Sequence, residues 1–274
     1  MNRTYLITGA NTGIGRVTAE ELARGGGRVF LACRSLDRTQ PVLDAIRGAG
    51  GVAEFLPLDL GDLASVRACA ASFLQRGEPL HGLINNAGLA GQRGLSRSGF
   101  ELAFGTNHVG HFLLTKLLLP RLQEADDARV VTVASSAHYR APGIDFEAIR
   151  QPTRNATGLP EYQVSKLANV LFSRELARRA GPGVRTYALH PGVIASDIWR
   201  NVPWGFRHLM SLFMISNEEG ARTTLHCATS PTVRDQSGRY YDACREKTPS
   251  RVAQDDALAA DLWERSERWC AEAV

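Results

Sequence analysis

Thr4-Tyr-Leu-Ile-Thr-Gly-Ala-Asn-Thr-Gly-Ile-Gly15 reads as an apolar strand entering a glycine turn, and from about Ile14 to Arg24 the apolar residues take the spacing of an amphipathic helix. Strand, glycine turn and helix N-terminus in that order form a cradle for the pyrophosphate of a dinucleotide. Glycines let the backbone approach closely, and the free N–H groups with the helix dipole favour an anion. The candidate cradle is Gly9, Asn11, Thr12, Gly13, Ile14 and Gly15. Its spacing is G-x-x-x-G-x-G, not the more general G-x-G-x-x-G. A glycine-rich turn is often only a turn; the strand before it and the helix after it favour the cradle.

Outward from this unit, strand-like runs recur at residues 5–8, 29–32, 53–58, 82–84, 129–134, 184–189 and 238–241, with helical stretches between the first six. Such alternation predicts an α/β fold, a doubly wound parallel sheet with helices on both faces. The 274 residues, 44% of them hydrophobic, suffice for one large domain, and no linker or repeat divides them. Ligands of such sheets bind beyond the carboxyl ends of the strands. The dinucleotide-binding part is expected over about residues 1–190.

The end of the second strand normally carries an acid for the adenosine ribose. Here Cys33 is followed by Arg34, with Arg38 one turn on. A 2′-phosphate would meet cations there and no carboxylate, which favours NADP(H) over NAD(H). The competing reading makes both arginines solvated residues of a helix start.

Glu161-Tyr-Gln-Val-Ser-Lys-Leu167 places Tyr162 and Lys166 at i and i+4, on one helical face. A phenol with an ordinary pKa of about 10 is a weak acid-base group near neutrality, and a neighbouring cation favours its ionised form. The pair is suited to handling an alcohol or carbonyl proton. Exposed Tyr/Lys pairs at this spacing are common, but the chain has only three lysines, Lys116, Lys166 and Lys247.

In this order the motifs resemble the short-chain dehydrogenase/reductase family, specifically its retinol dehydrogenase-like branch, over nearly the whole chain. The landmarks are Gly9, Gly13 and Gly15; Asp59-Leu60; Asn85-Asn-Ala-Gly88; Asn107 in Thr-Asn-His-Val-Gly-His-Phe; Ser135-Ser136; Tyr162 with Lys166; and His190-Pro-Gly-Val193. The resemblance implies that Tyr162 is the general acid in reduction and the base in oxidation, that Lys166 lowers the Tyr162 pKa and holds the nicotinamide ribose, and that Ser136 donates to the substrate oxygen. Ser135 and, less so, Ser136 can equally be read as backbone caps. Asn107 is implied to perturb its helix and bind a water linking Lys166 to solvent. The alternative is a solvated helical asparagine. His108 and His111 are too close for a two-histidine helical metal pair and are read as structural; no metal site is expected. Asp59 is expected to cap a turn and to accept from the adenine amino group, with Leu60 supplying backbone. Asn86, Ala87 and Gly88 would lie against the adenosine ribose. Pro191, Gly192 and Val193 would cover the nicotinamide, and Ser196 would replace the usual threonine, keeping its hydroxyl. Homodimers or homotetramers through the Asn107- and Tyr162-bearing helices are a further implication.

A net charge of +4 comes from scattered arginines partnered by acids, which excludes a nucleic-acid footprint. Five widely spaced cysteines without a C-x-x-C pair suit a reducing compartment. The first strand starts within a few residues of Met1 and no apolar run approaches a membrane span. A cytoplasmic protein is expected, where retinol dehydrogenase relatives often carry an N-terminal anchor.

Residues 198–215 are dense in Trp, Phe, Met and Leu and follow the position where the family places a substrate lid, about residues 194–216. They indicate an apolar, fairly large alcohol, aldehyde or ketone as substrate; the other readings are core or oligomer surface. Residues 137–159 read as a long loop with one short turn of helix, and about 253–273 as an amphipathic helix docked on the body or at a subunit interface. The leading function is an NADP(H)-dependent oxidoreductase; the alternative is a catalytically idle NADP(H)-binding sensor or scaffold.

Overall fold

β1 (Thr4–Thr8), β4 (Gly82–Asn85) and β5 (Ala128–Val133) are buried at every position, and β2 (Arg28–Cys33) and β6 (Val184–His190) at all but one, Arg28 and Arg185. Continuous apolar strands of this kind belong to a sheet covered on both faces. In the computed structural model, which describes residues 3–192 and 215–272, they join β3 (Val52–Pro57), β7 (Arg239–Asp242) and β8 (Arg245–Glu246) in the order β3-β2-β1-β4-β5-β6-β7-β8. All pairings are parallel except the β7–β8 hairpin. The fold is the single-domain α/β sheet expected. β8 was not: its two residues follow Ala243 and Cys244, whose φ of 50° and 61° make a tight turn without glycine.

Helices α1 (Gly13–Arg24), α2 (Leu36–Gly48) and α7 (Asn217–Thr229) carry the side chains that cover one face of the sheet. On the other lie α3 (Leu63–Leu74), α5 (Gly110–Gln123), α6 (Leu159–Arg179) and α8 (Asp256–Glu272). Local chemistry sets several starts: Ser35 accepts from Arg38 N–H at the head of α2, and Asp62 accepts from Ala64 N–H at 3.0 Å at the head of α3.

The helix that carries Asn107, implied by the resemblance to be perturbed there, is interrupted. A short α4 (Leu102–Phe104) passes into a wide turn, Gly105–Val109, in which Gly110 N–H reaches back five residues to the Gly105 carbonyl before α5 begins. Such an insertion commonly marks a functional site, and Asn107 lies within it. The expected 137–159 loop holds two short 3₁₀ turns, Ser136–Arg140 and Ala148–Arg150.

α8 crosses the outer side of α5 and α6. Its buried Ala259, Leu262, Trp263, Ser266 and Cys270 lie at helical spacing on one face. Trp263 packs edge-on to Phe112 at 4.9 Å and stacks on Phe172 at 6.0 Å, while Lys116 pairs with Glu267 at 2.6 Å. With α8 in place, every residue of α6 from Ser165 to Ser173 is buried. Among the described residues no helix is long and apolar enough to cross a membrane.

Candidate active site

The chain moves from β3 on one side of β1 to β4 on the other, so the strand order reverses between β1 and β4. Ligands of open α/β sheets bind in the crevice beyond such a reversal. The Gly9–Gly15 loop leaves β1 there, and Asn86–Gly88 leave β4 beside it.

The two loops are fitted to one another. Gly9 has φ +66°, and a Cβ on it would lie 3.0 Å from Ala87. A Cβ on Gly15 would stand 2.4 Å from both Asn86 Nδ2 and the Gly9 carbonyl oxygen, so α1 reaches the loop only because that residue has no side chain. Asn86 Nδ2 donates to the Thr8 carbonyl at 2.8 Å. Thr12, at the head of α1, makes no side-chain cap, and the first turn carries no acid. The helix N-terminus thus keeps free N–H groups and its positive end for an anion. Asn11, Gly13 and Ile14 are half-buried along it. Arg34, just past β2, and Arg38, in the first turn of α2, are exposed, and among the described residues no carboxylate pairs with either. Asp59 accepts from Gly61 N–H at 2.9 Å in the turn expected, with Leu60 buried behind it. Pro191 and Gly192 follow β6, half-buried. Val193, Ser196 and the greater part of the 194–216 segment lie outside the described residues. A glycine cradle and a helix N-terminus without a side-chain cap suit a dinucleotide.

Asn107, Tyr162 and Lys166 are buried, 0%, 8% and 3% exposed. The Asn107 side chain pairs with the Leu89 main chain like a strand partner, accepting from its N–H at 2.9 Å and donating to its carbonyl at 3.0 Å. It also donates to Ser165 Oγ at 2.9 Å, which passes its own proton to the Tyr162 carbonyl at 2.8 Å. Asn107 therefore sits in a closed polar set, not in solvent. Gly88 lies between it and Lys166: a Cβ there would be 3.4 Å from both Asn107 Oδ1 and Lys166 Nζ. Lys166 Nζ donates to the Val133 carbonyl at 2.8 Å and stands 5.7 Å from the centre of the Tyr162 ring.

The electrostatics differ from the sequence expectation. Burial raises the Tyr162 pKa above its ordinary value, with a hydrogen bond from Ser135 opposing the shift. Burial also brings Lys166 down to about 7, so near neutrality much of the charge counted on to depress the phenol is absent. The serines divide unexpectedly as well. Ser135 caps the 3₁₀ turn by accepting from Ala137 N–H at 3.1 Å, as one reading of the pair held, and it is also the hydroxyl that bears on Tyr162. Ser136 begins that turn, half-buried.

Ser165 and Thr8 belong to the site without a sequence signal strong enough to name them, and His111 belongs to it beyond its structural reading. Ser165 links Tyr162 to Asn107; its signal was its place between Tyr162 and Lys166. Thr8 closes β1 and accepts from Asn86 and Ala87 N–H at 3.0 and 2.9 Å, tying the two loops together. His111 was read as structural, yet its ring bridges Thr8 and the Asn107 carbonyl, at 2.8 and 3.0 Å. His108 fits the structural reading: its ring is buried among Phe104, Phe112 and Phe172 and its Nε2 meets Ser266 Oγ at 3.0 Å. Among the described residues no cluster of His, Cys, Asp and Glu suits a metal ion.

Comparison with known proteins agrees with this geometry. Residues 3–148 match the short chain dehydrogenase family model. Retinol dehydrogenase 12 of Mus musculus is 44% identical over 270 residues, covering 95% of this chain and 84% of that one. Dehydrogenase/reductase SDR family member 13 of Bos taurus is 44% identical, covering 97% and 72%. A crystal structure of an uncharacterised Mycobacterium paratuberculosis protein superposes with a TM-score of 0.80 at 37% identity, covering 98% of this chain and 93% of that one. Another, named as an NAD(P)-dependent gluconate 5-dehydrogenase of Beutenbergia cavernae and holding NADP, superposes with a TM-score of 0.72 at 25% identity, covering 88% and 94%. Glycine cradle, Tyr162–Lys166 pair and these relatives lead to one assignment: the chain belongs to the short-chain dehydrogenase/reductase family of oxidoreductases acting on CH–OH groups, on its retinol dehydrogenase-like branch.

Proposed function

We propose that the protein interconverts an apolar alcohol and its aldehyde or ketone with NADP(H), Tyr162 exchanging the proton. The observation that carries this reading is the buried set Asn107–Ser165–Tyr162–Lys166 lying beside the glycine cradle at the strand-order reversal. Bound NADPH supplies hydride to the carbonyl carbon. The Tyr162 hydroxyl gives its proton to the oxygen on which charge develops and takes it back in oxidation. Lys166, held by the Val133 carbonyl, provides the neighbouring cation when protonated and a contact for the nicotinamide ribose. The serine pair supplies a hydroxyl to the substrate oxygen: Ser136 on the family pattern, with Ser135 the hydroxyl that opposes the rise of the Tyr162 pKa. Asn107 orders the turn from which a water can connect Lys166 to solvent.

Gly9, Asn11, Thr12, Gly13, Ile14 and Gly15 would hold the pyrophosphate, Asp59, Leu60, Asn86, Ala87 and Gly88 the adenosine, and Pro191, Gly192, Val193 and Ser196 the nicotinamide end. NADP(H) is favoured over NAD(H) by the exposed, unpaired Arg34 and Arg38 and by the absence of an acid at the end of β2. An apolar substrate is favoured by the Trp-, Phe- and Met-rich 198–215 segment and by relatives named for retinol. The expected location is cytoplasmic.

The test is loss of NADPH absorbance, beside NADH, against aromatic, long-chain and retinoid aldehydes and ketones. Turnover should prefer NADPH, and Arg34→Asp should shift it towards NADH by roughly tenfold or more, one lost charge-assisted contact. Equal use of both cofactors by the unaltered protein would refute the NADP(H) preference.

A further inference from the structure

His111 is 1% exposed and makes two polar contacts: Nε2 with Thr8 Oγ1 at 2.8 Å and Nδ1 with the Asn107 carbonyl oxygen at 3.0 Å. Counting donors fixes its proton. The Asn107 carbonyl oxygen can only accept, so Nδ1 of the neutral ring donates and Nε2 accepts; the Thr8 oxygen takes Ala87 N–H at 2.9 Å and shares Asn86 N–H, at 3.0 Å, with the Ile84 carbonyl at 2.9 Å. The single Thr8 hydroxyl proton therefore goes to His111 Nε2 at 2.8 Å, not to the Ile84 carbonyl at 3.4 Å. The ring proton lies on Nδ1, pointing at the Asn107 carbonyl. Complete burial and the nearby Lys166 keep the ring neutral, consistent with this tautomer.

We infer that His111 is a positioning residue for the reaction, setting Asn107 by a hydrogen bond to its main-chain carbonyl. The chain of donors runs one way: from the Asn86 and Ala87 N–H groups, through the Thr8 hydroxyl and the imidazole, to the Asn107 carbonyl. It starts at the loops that cradle the cofactor and ends in the wide turn Gly105–Val109, whose backbone departs from regular helical bonding and needs another partner to fix it. On its side-chain face the same Asn107 is held by Leu89 and Ser165, and through Ser165 by the Tyr162 main chain. His111 thus joins the cofactor loops to the proton-handling residues through one neutral ring.

The inference rests on the oxidoreductase reading, and its test separates the two. An asparagine side-chain amide reaches the position of His Nδ1, and a glutamine amide that of Nε2. His111→Asn keeps the donor to the Asn107 carbonyl and loses Thr8; His111→Gln keeps Thr8 and loses Asn107. Steady-state kinetics, NADPH binding by fluorescence titration and thermal melting are measured for both, with His111→Phe as a packing control. The expected result is kcat of His111→Asn within about threefold of the unaltered protein, and kcat of His111→Gln and His111→Phe lower by about 10- to 100-fold, the scale of a small misplacement in an active site. NADPH binding of the Asn and Gln variants should match. Equal kcat losses in the Asn and Gln variants, or an unchanged kcat in the Phe variant, would overturn the inference. Absence of turnover in the unaltered protein is a failure of the oxidoreductase reading instead.

Discussion

Lys166 Nζ donates to the Val133 carbonyl at 2.8 Å, so the ammonium of α6 is pinned to the carboxyl end of β5, away from water. Burial lowers its pKa from an ordinary 10.5 to about 7. For a base depressed on folding, the unfolded chain binds more protons between these two values, so stability rises with pH across that window and the burden is greatest below pH 7. Lys166→Met, which removes the buried charge, should therefore melt above the unaltered protein at pH 6, with the gap narrowing towards pH 9. Melting curves at both pH values check this, and a gap that widens with pH would contradict it.

Gly15 meets Asn86 Nδ2 and the Gly9 carbonyl so closely that no Cβ fits, whereas a Cβ on Gly48, at the end of α2, meets nothing within 4 Å. Gly15→Ala should lower stability by about 1–3 kcal/mol, the scale of overpacking. By parting the two loops it should also weaken NADPH binding by roughly tenfold or more, about 1.4 kcal/mol. Gly48→Ala should leave NADPH binding unchanged and, by removing a glycine from a helix, raise stability by about 0.4–1 kcal/mol. Denaturant unfolding and cofactor titration of both variants check the contrast.

The C-terminal helix bears on assembly. Family resemblance led to an oligomer through the helices carrying Asn107 and Tyr162, but α8 packs against both and leaves α6 buried from Ser165 to Ser173. Pairing through that face would require α8 to leave. The expected outcome is the mass of one chain, 29.8 kDa, in sedimentation at micromolar concentration. Trp263, 3% exposed between Phe112 and Phe172, anchors the helix, and Trp263→Ala should cost about 3–5 kcal/mol in denaturant unfolding.

Much of this was legible in the residues. The 4–15 unit and the recurring apolar runs were enough for a doubly wound sheet, because parallel strands buried on both faces have no choice but to be apolar. Tyr162 and Lys166 were legible because helical spacing converts directly into a shared face. What escaped depended on contacts between distant segments. The resemblance implies a perturbed helix at Asn107, but not the partners that stabilise the wide turn there, Leu89 and Ser165, which come from elsewhere in the chain. His111 and Thr8 are 103 residues apart. The Tyr162 pKa turned on how deeply Lys166 would be buried, which the i,i+4 spacing does not convey.

The proton assignment to Tyr162 is the centre of the account, and removal of one oxygen tests it. The measurement is kcat for NADPH-dependent reduction of an apolar aldehyde by Tyr162→Phe, with NADPH affinity titrated alongside. The buried ring keeps its packing, so NADPH binding should persist while kcat falls by about 10²- to 10⁴-fold, the range of a positioned general acid. Turnover by Tyr162→Phe close to that of the unaltered protein would contradict the assignment.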